Sequence, residues 1–343
     1  MNEEQLKKWK AKRQKRRDSF NSDGLLSGIL RGDLQALSSG ITLLESNKKE
    51  DKAEAQKLIN SCLKYSGKSI RVGVTGVPGV GKSTFIESFG QFVVEKGFKI
   101  AVLAIDPSSE KSGGSILGDK TRMNQLSVLE NAFIRPSAAG KSLGGVARKT
   151  RESIILCEAA GYDFILIETV GVGQSETMVN SMVDFFMLLM LAGAGDELQG
   201  IKRGIMEMAD ALIITKADGD NLIKARRAKK EYENAIHLFP PNENEWIPKT
   251  LVASALENYN IEKTFETIQS FVNQTKVNGS FTNNRKQQDK YWLHETIADT
   301  LMTNFYSSER LVEVIAEVEQ DVISGKISSF EGAEKLMKIY NHE

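Results

Sequence analysis

"RVGVTGVPGVGKSTFIE", residues 71–87, decides the fold. A short apolar run ends at Gly76, after which Gly76, Gly81, Lys82 and Ser83 stand at the spacing Gly-x-x-x-x-Gly-Lys-Ser. Glycines at these places let backbone N–H groups curl around phosphate oxygens, and the helix that opens at Lys82 adds positive potential at its N-terminus. Gly76, Val77, Pro78, Gly79, Val80 and Gly81 are therefore read as a phosphate cradle. Lys82 is read as the cation that reaches the β- and γ-phosphates, and Ser83 as a magnesium ligand.

Working outward, the runs "IRVGVT", "KIAVLAID", "AFIRP", "DFILIET", "FFMLLMLA", "ALIIT" and "KTLVAS" are short, β-branched and almost wholly apolar, with helical stretches between them. Such runs are buried on both faces, which predicts an α/β fold: a doubly wound, mostly parallel sheet over residues 66–275. Before it, residues 1–65 read as a helical region. Leu34, Leu37, Ile41 and Leu44 share one helix face with Asp33 as N-cap, and a second helix runs from about Lys52 to Tyr65. After it, "KVNGSFTNNRKQQD" reads as a polar linker opening a C-terminal region, 276–343. Ile297, Leu301 and Phe305 then mark one helix, and Leu311, Ile315, Val318 and Val322 another with near-heptad spacing, which predicts a helical dimerisation arm.

Composition removes several function classes. Lys and Arg total 45, as do Asp and Glu, so the balance advertises neither nucleic acid nor a membrane surface as partner. The basic N-terminal run from Lys7 to Arg17 is expected to be a solvated helix rather than a nucleic-acid arm, and it lacks the apolar core of a signal peptide. No apolar stretch has transmembrane length, since "MVDFFMLLMLAGAG" is interrupted by Asp184 and glycines; cytoplasm is the expected compartment. Cys62 and Cys157 fall on apolar helix faces and are expected to be reduced and structural.

Base identity rests on "LIITKADGD", residues 212–220. A buried strand ending Thr215-Lys216-Ala217-Asp218 fits the guanine-specifying pattern, in which the Asp218 carboxylate accepts from the guanine N1–H and exocyclic amine. Adenine has no such donor pair on that edge, so the wrong base would leave a carboxylate unpaired. Lys216 would lay its stem along the base plane, and Ser254, Ala255 and Leu256, after a later strand, complete the base site.

For metal and γ-phosphate, "DFILIETVGVGQSE" places Glu168 at a strand end, three residues before Gly171. Small GTPases carry Asp at the first place and Gln after the glycine. Here these are Glu168 and Val172, which predicts slow intrinsic hydrolysis, with Gln174 a substitute for orienting water. Asp106, ending "KIAVLAID", and Asp119, in "KSGGSILGDKTRM", are further candidate metal residues; Asp119 also suits a helix N-cap.

Together "GVTGVPGVGKST", "AIDPSSEKSGGSILGDKTRM", "IETVGVGQSE", "TKADGD" and the N-terminal "LLSGILRGDLQALSSGITLLES" resemble the MeaB/ArgK family of P-loop GTPases, from about residue 20 to the C-terminal helices. The resemblance implies a GTP-hydrolysing chaperone, active as a homodimer. It would protect and load adenosylcobalamin-dependent acyl-CoA mutases, typically methylmalonyl-CoA mutase. It further implies that Lys82, Ser83 and Thr84 hold phosphate and Mg2+, with Asp106, Asp119 and Glu168 around the metal. Residues 192–210 would be a mobile segment answering the mutase, with Lys202 approaching the nucleotide. Thr215 departs from the family's usual Asn, and its hydroxyl is expected to bond the P-loop backbone instead. A small-molecule or protein kinase is the alternative reading. A nickel-delivery GTPase is disfavoured, because His237, His294 and His342 are scattered without ligand spacing.

Overall fold

The computed structural model describes residues 21–46, 48–105, 123–136, 143–169, 175–193, 203–240, 242 and 244–341 of the chain. Seven strands form one parallel sheet in the order β3-β2-β4-β1-β5-β6-β7. They are β1 (Ile70–Gly76), β2 (Ile100–Ile105), β3 (Ala132–Arg135), β4 (Phe164–Thr169), β5 (Phe185–Met190), β6 (Ala211–Ile214) and β7 (Lys249–Val252). Each coincides with an apolar run picked out above. β1 lies at the centre, pairing Val74 with Glu168 of β4 and Gly76 with Leu189 of β5. The ends of these three strands therefore meet at one point, and the P-loop leaves from it.

The helices α1 (Ser22–Leu30), α2 (Leu34–Glu45), α3 (Lys49–Leu63), α4 (Lys82–Glu95), α5 (Leu143–Ala159), α6 (Ser175–Asn180), α7 (Arg203–Met208), α8 (Asn221–Ile236) and α9 (Ile261–Val277) surround the sheet. Alternation along β1 sorts the two faces. Val72 and Val74 face a core with Phe85 and Phe89 of α4 and Ile268 and Phe271 of α9, all buried. Gly73 and Thr75 face the other way. The aromatic packing is specific, as Phe185 meets Phe271 edge-on at 5.1 Å and Trp246 meets it at 5.3 Å.

The N-terminal helices find their support on α5. Asp33 caps α2 through Gln35 N and Ala36 N, as the sequence predicts. A Cβ on Gly40 would stand 3.0 Å from Leu156 Cδ2, so α2 and α5 touch nearly backbone to side chain. Arg135 pairs with Glu45, and Lys149 Nζ donates to Glu45 O at 2.7 Å. Cys62 and Cys157 are free and buried; burial pushes the Cys62 thiol up to about 11 and the Cys157 thiol higher still. Thiols held protonated in this way are inert packing residues.

The polar stretch after residue 276 is not a linker. Asn278 and Gly279 alone separate α9 from α10 (Ser280–Tyr306), a helix of 27 residues. Two of its polar side chains, Arg285 and Gln288, bond the base of the sheet. Arg285 pairs with both oxygens of Asp184 and donates to Gly67 O and Ser69 O, and Gln288 Nε2 donates to Val183 O at 2.6 Å. Beside them Arg71 and Glu158 form a buried pair that Ser69 and Gly67 N–H complete. The first compact unit accordingly runs through Gln288.

The second unit, Asp289–Glu343, contains the remainder of α10 and the helices α11 (Glu309–Ile323) and α12 (Ser329–Asn341). Leu311 and Val318 of α11 are buried. A Cβ on Gly332 of α12 would stand 3.0 Å from both Val318 and Val322, so α11 and α12 form a close hairpin. Sequence periodicity found α11 and missed α12. Among the described residues no helix is long and apolar enough to cross a membrane.

One buried acid sets a pH dependence. Asp210, just before β6, accepts from Phe186 N at 2.8 Å, yet burial pushes its carboxyl up to about 7. A carboxyl that gains proton affinity on folding makes its own ionisation oppose folding. That penalty is absent below the unfolded value near about 4, grows as pH rises and is complete above about 7. In Asp210→Asn the amide oxygen still accepts from Phe186. Thermal unfolding should therefore show the variant gaining on the parent, by on the order of 5 °C, between about pH 5 and about pH 8. A difference that does not vary with pH would contradict this.

Candidate functional site

The phosphate cradle sits between the tip of β1 and the start of α4. At Gly76 φ is +152°, and a Cβ there would lie 2.5 Å from Leu189 O of the neighbouring strand, so only glycine fits. Gly81, at φ +94°, is the left-handed N-cap from which α4 starts. Val80 is fully buried and anchors the loop, whereas Pro78, Gly79 and Thr84 are exposed and Val77 is half-buried. Lys82 Nζ folds back over the loop, donating to Gly76 O at 2.7 Å and Val77 O at 3.3 Å. Burial pushes its ammonium below the usual lysine range, and the carboxylates of Glu168 and Glu176 oppose that shift. A desolvated cation of this kind is poised to exchange carbonyl partners for anionic oxygens.

Ser83 Oγ donates to Glu168 Oε1 at 3.3 Å, bringing together two of the residues expected around magnesium. A hydroxyl and a carboxylate are hard oxygen donors, and Mg2+ needs only one or two such protein ligands beside phosphate and water, so the pair fits the ion. Asp106 and Asp119, the other expected metal residues, lie outside the described residues, as do Gly171, Gln174 and Lys202. Of the segment 192–210, residues 203–208 form α7.

The residues expected around the base follow the ends of β6 and β7. Thr215 Oγ1 donates to Val80 O at 2.7 Å and lies 3.1 Å from Met190 O, so the hydroxyl makes the P-loop bond expected of it. Lys216, at φ +54°, stretches over the loop and donates from Nζ to Gly79 O at 2.9 Å. Asp218 Oδ2 accepts from Ser254 Oγ at 2.7 Å, which fixes the orientation of the carboxylate. Ser254 is fully buried and its backbone exchanges hydrogen bonds with Tyr259, while Ala255 is half-buried and Leu256 exposed.

Three further elements escaped the sequence reading. Asn221 Nδ2 donates to Lys216 O at 2.6 Å and holds the strained lysine in place. Thr169 Oγ1 donates to Thr75 Oγ1 at 2.8 Å, joining β4 to β1 just below the cradle. Glu176 is buried, and its carboxylate is one of the charges that oppose the lowering of the Lys82 ammonium. A polar pair such as Thr75 and Thr169 has no local sequence signal, because the partners meet only through the strand order.

A family model described as "Methylmalonyl Co-A mutase-associated GTPase MeaB" matches residues 37–310. The chain belongs to the MeaB family. It is 45% identical over 281 residues to GTPase ArgK of Escherichia coli, covering 82% of this chain and 85% of that protein. It is 44% identical over 328 residues to the Mus musculus protein named "Methylmalonic aciduria type A homolog, mitochondrial", covering 93% of this chain and 79% of that one. Among solved structures, that titled "Crystal structure of LAO/AO transport system kinase" matches with TM-score 0.73 and 34% identity, over 94% of this chain and 98% of that one. As a MeaB-family member the chain is a GTPase, which implies binding of a guanine nucleotide.

Proposed function

We propose that this MeaB-family GTPase is a cytoplasmic chaperone for an adenosylcobalamin-dependent acyl-CoA mutase, most directly methylmalonyl-CoA mutase. Its bound nucleotide would act as the timer that protects the mutase and gates its cofactor loading. The family match over residues 37–310 carries this reading, because that family is described as mutase-associated. The aciduria-related name of the mouse relative supports it.

In the proposed cycle Lys82 leaves its carbonyl partners for the β- and γ-phosphates, and the N–H groups of residues 76–84 complete the cradle. Ser83 and Glu168 would hold Mg2+, with Asp106 and Asp119 as further contributors, and the ion would neutralise charge on the phosphates. Asp218 selects guanine, Ser254 orients Asp218, and Lys216, Ala255 and Leu256 border the base. Gly171 would sense the γ-phosphate. Val172 follows it, so turnover by the free protein is slow until the mutase brings Gln174 or Lys202 to bear on the attacking water. A phosphoryl acceptor, as a kinase would need, is not part of this scheme. The GTPase family assignment outweighs the kinase title of the solved relative.

We further propose a homodimer through the C-terminal unit. Leu293, Ile297 and Leu301 of α10 recur every fourth residue, 59%, 48% and 56% exposed, an apolar stripe suited to a second copy of this chain. The test is steady-state GTP hydrolysis with and without the mutase, with light scattering of the same samples to read the mass. Stimulated turnover by a protein of dimer mass is the expected result.

A further inference from the structure

Asn221, at the start of α8, is half-buried and sends two hydrogen bonds into the turn that follows β6. Its backbone N–H donates to Asp218 O at 3.0 Å, and its side-chain Nδ2 donates to Lys216 O at 2.6 Å. One residue thus grips the chain at both of the positions expected to read the base.

The side-chain bond falls on a peptide group that is held from two sides. Lys216 O accepts from Asn221, while the N–H of the same peptide, that of Ala217, donates to Ala253 O just past β7 at 3.1 Å. The plane can turn only if one of these bonds breaks. It begins at Lys216, whose φ of +54° lies in the left-handed region that a residue with a Cβ adopts at a cost. Both base-reading side chains hang from that plane. On one side the Lys216 stem crosses the P-loop, with Cε 3.8 Å from where a Cβ on Gly81 would stand and Nζ on Gly79 O. On the other side Asp218 turns its carboxylate to Ser254. Removing the Nδ2 donor frees the carbonyl, and Lys216 can then relax towards negative φ, which swings its stem off the loop.

We propose that Asn221 is a positioning residue for guanine selection, acting through the peptide between Lys216 and Ala217: it keeps the lysine left-handed, so that the lysine stem and the Asp218 carboxylate meet the base in one fixed arrangement. An arrangement formed in advance spares the incoming nucleotide the entropy of ordering it. The gain goes to guanine, because adenine lacks the donor pair that the carboxylate reads. The inference rests on the reading of Lys216 and Asp218 as base-contacting residues.

Competition titrations with GTP, GDP and ATP test it on the parent protein, Asn221→Asp and Asn221→Ala. Asn221→Asp keeps the size and the backbone N–H but sets an acceptor against Lys216 O. It should weaken GTP and GDP alike by about tenfold and ATP by less than about twofold, so the preference for GTP over ATP falls about fivefold or more. Asn221→Ala removes the donor without adding repulsion and should lower the same preference by about threefold. Equal losses for GTP and GDP place the effect at the base rather than at the γ-phosphate. A merely structural asparagine would lower the unfolding temperature and all three affinities together, and an unchanged preference in a folded Asp variant overturns the proposal. If that variant does not fold, the Ala variant decides by the same ratio. A parent protein without preference for GTP over ATP would overturn the reading of Lys216 and Asp218, and this inference with it.

Discussion

Lys82→Ala should weaken GTP binding by about a hundredfold or more, because two or three charge-assisted hydrogen bonds to phosphate are lost together. The fold should survive. Burial already disfavours the ammonium, and its partners Gly76 O and Val77 O belong to a loop whose far side is accessible to water. Thermal unfolding of the nucleotide-free variant should match or exceed the parent, so lost affinity cannot be ascribed to lost structure. Titration calorimetry reads the outcome, and an affinity near that of the parent would overturn the phosphate assignment of residues 76–83.

The second large effect concerns the base. In Asp218→Asn the amide oxygen can still accept from Ser254 Oγ, which holds the side chain in its present orientation. The group presented to the base then changes from a double acceptor to a donor and acceptor. GTP should lose about a hundredfold in affinity, and xanthosine triphosphate, with a carbonyl where guanine has its amine, should gain comparably. Competition titrations with GTP, xanthosine triphosphate and ATP measure the exchange. Unaltered selectivity would place base recognition elsewhere than on the ends of β6 and β7.

The strands were legible because each is a run of residues such as "FILIET" or "FFMLLM", buried on both faces, and such runs announce a parallel sheet without help from distant partners. The P-loop was legible because its chemistry is local. Lys82, Ser83 and the glycines lie within one turn, and the same is true of Thr215 to Asp218. What escaped depended on tertiary partners. "NGSFTNNRKQQD" reads as a linker until Arg285 meets Asp184 and Gln288 meets Val183, contacts that convert polar composition into an anchored helix. Glu176 escaped for the same reason. Its burial goes with the packing of α6 on β1, where Val179 meets the bare position of Gly73, a relation set by sheet order rather than by sequence spacing. Thr215 is the opposite case: a short side chain in place of a longer amide still reaches Val80 O, since the strand end and the loop are already in contact.

The central claim is that the nucleotide is a timer read by a mutase rather than a phosphoryl donor for another substrate. Its most direct test is steady-state turnover of GTP and of ATP, each with and without the adenosylcobalamin-dependent acyl-CoA mutase. Slow release of phosphate from GTP alone, rising severalfold when the mutase is added, is the predicted result. Turnover indifferent to the mutase, or equally fast with ATP, would contradict it.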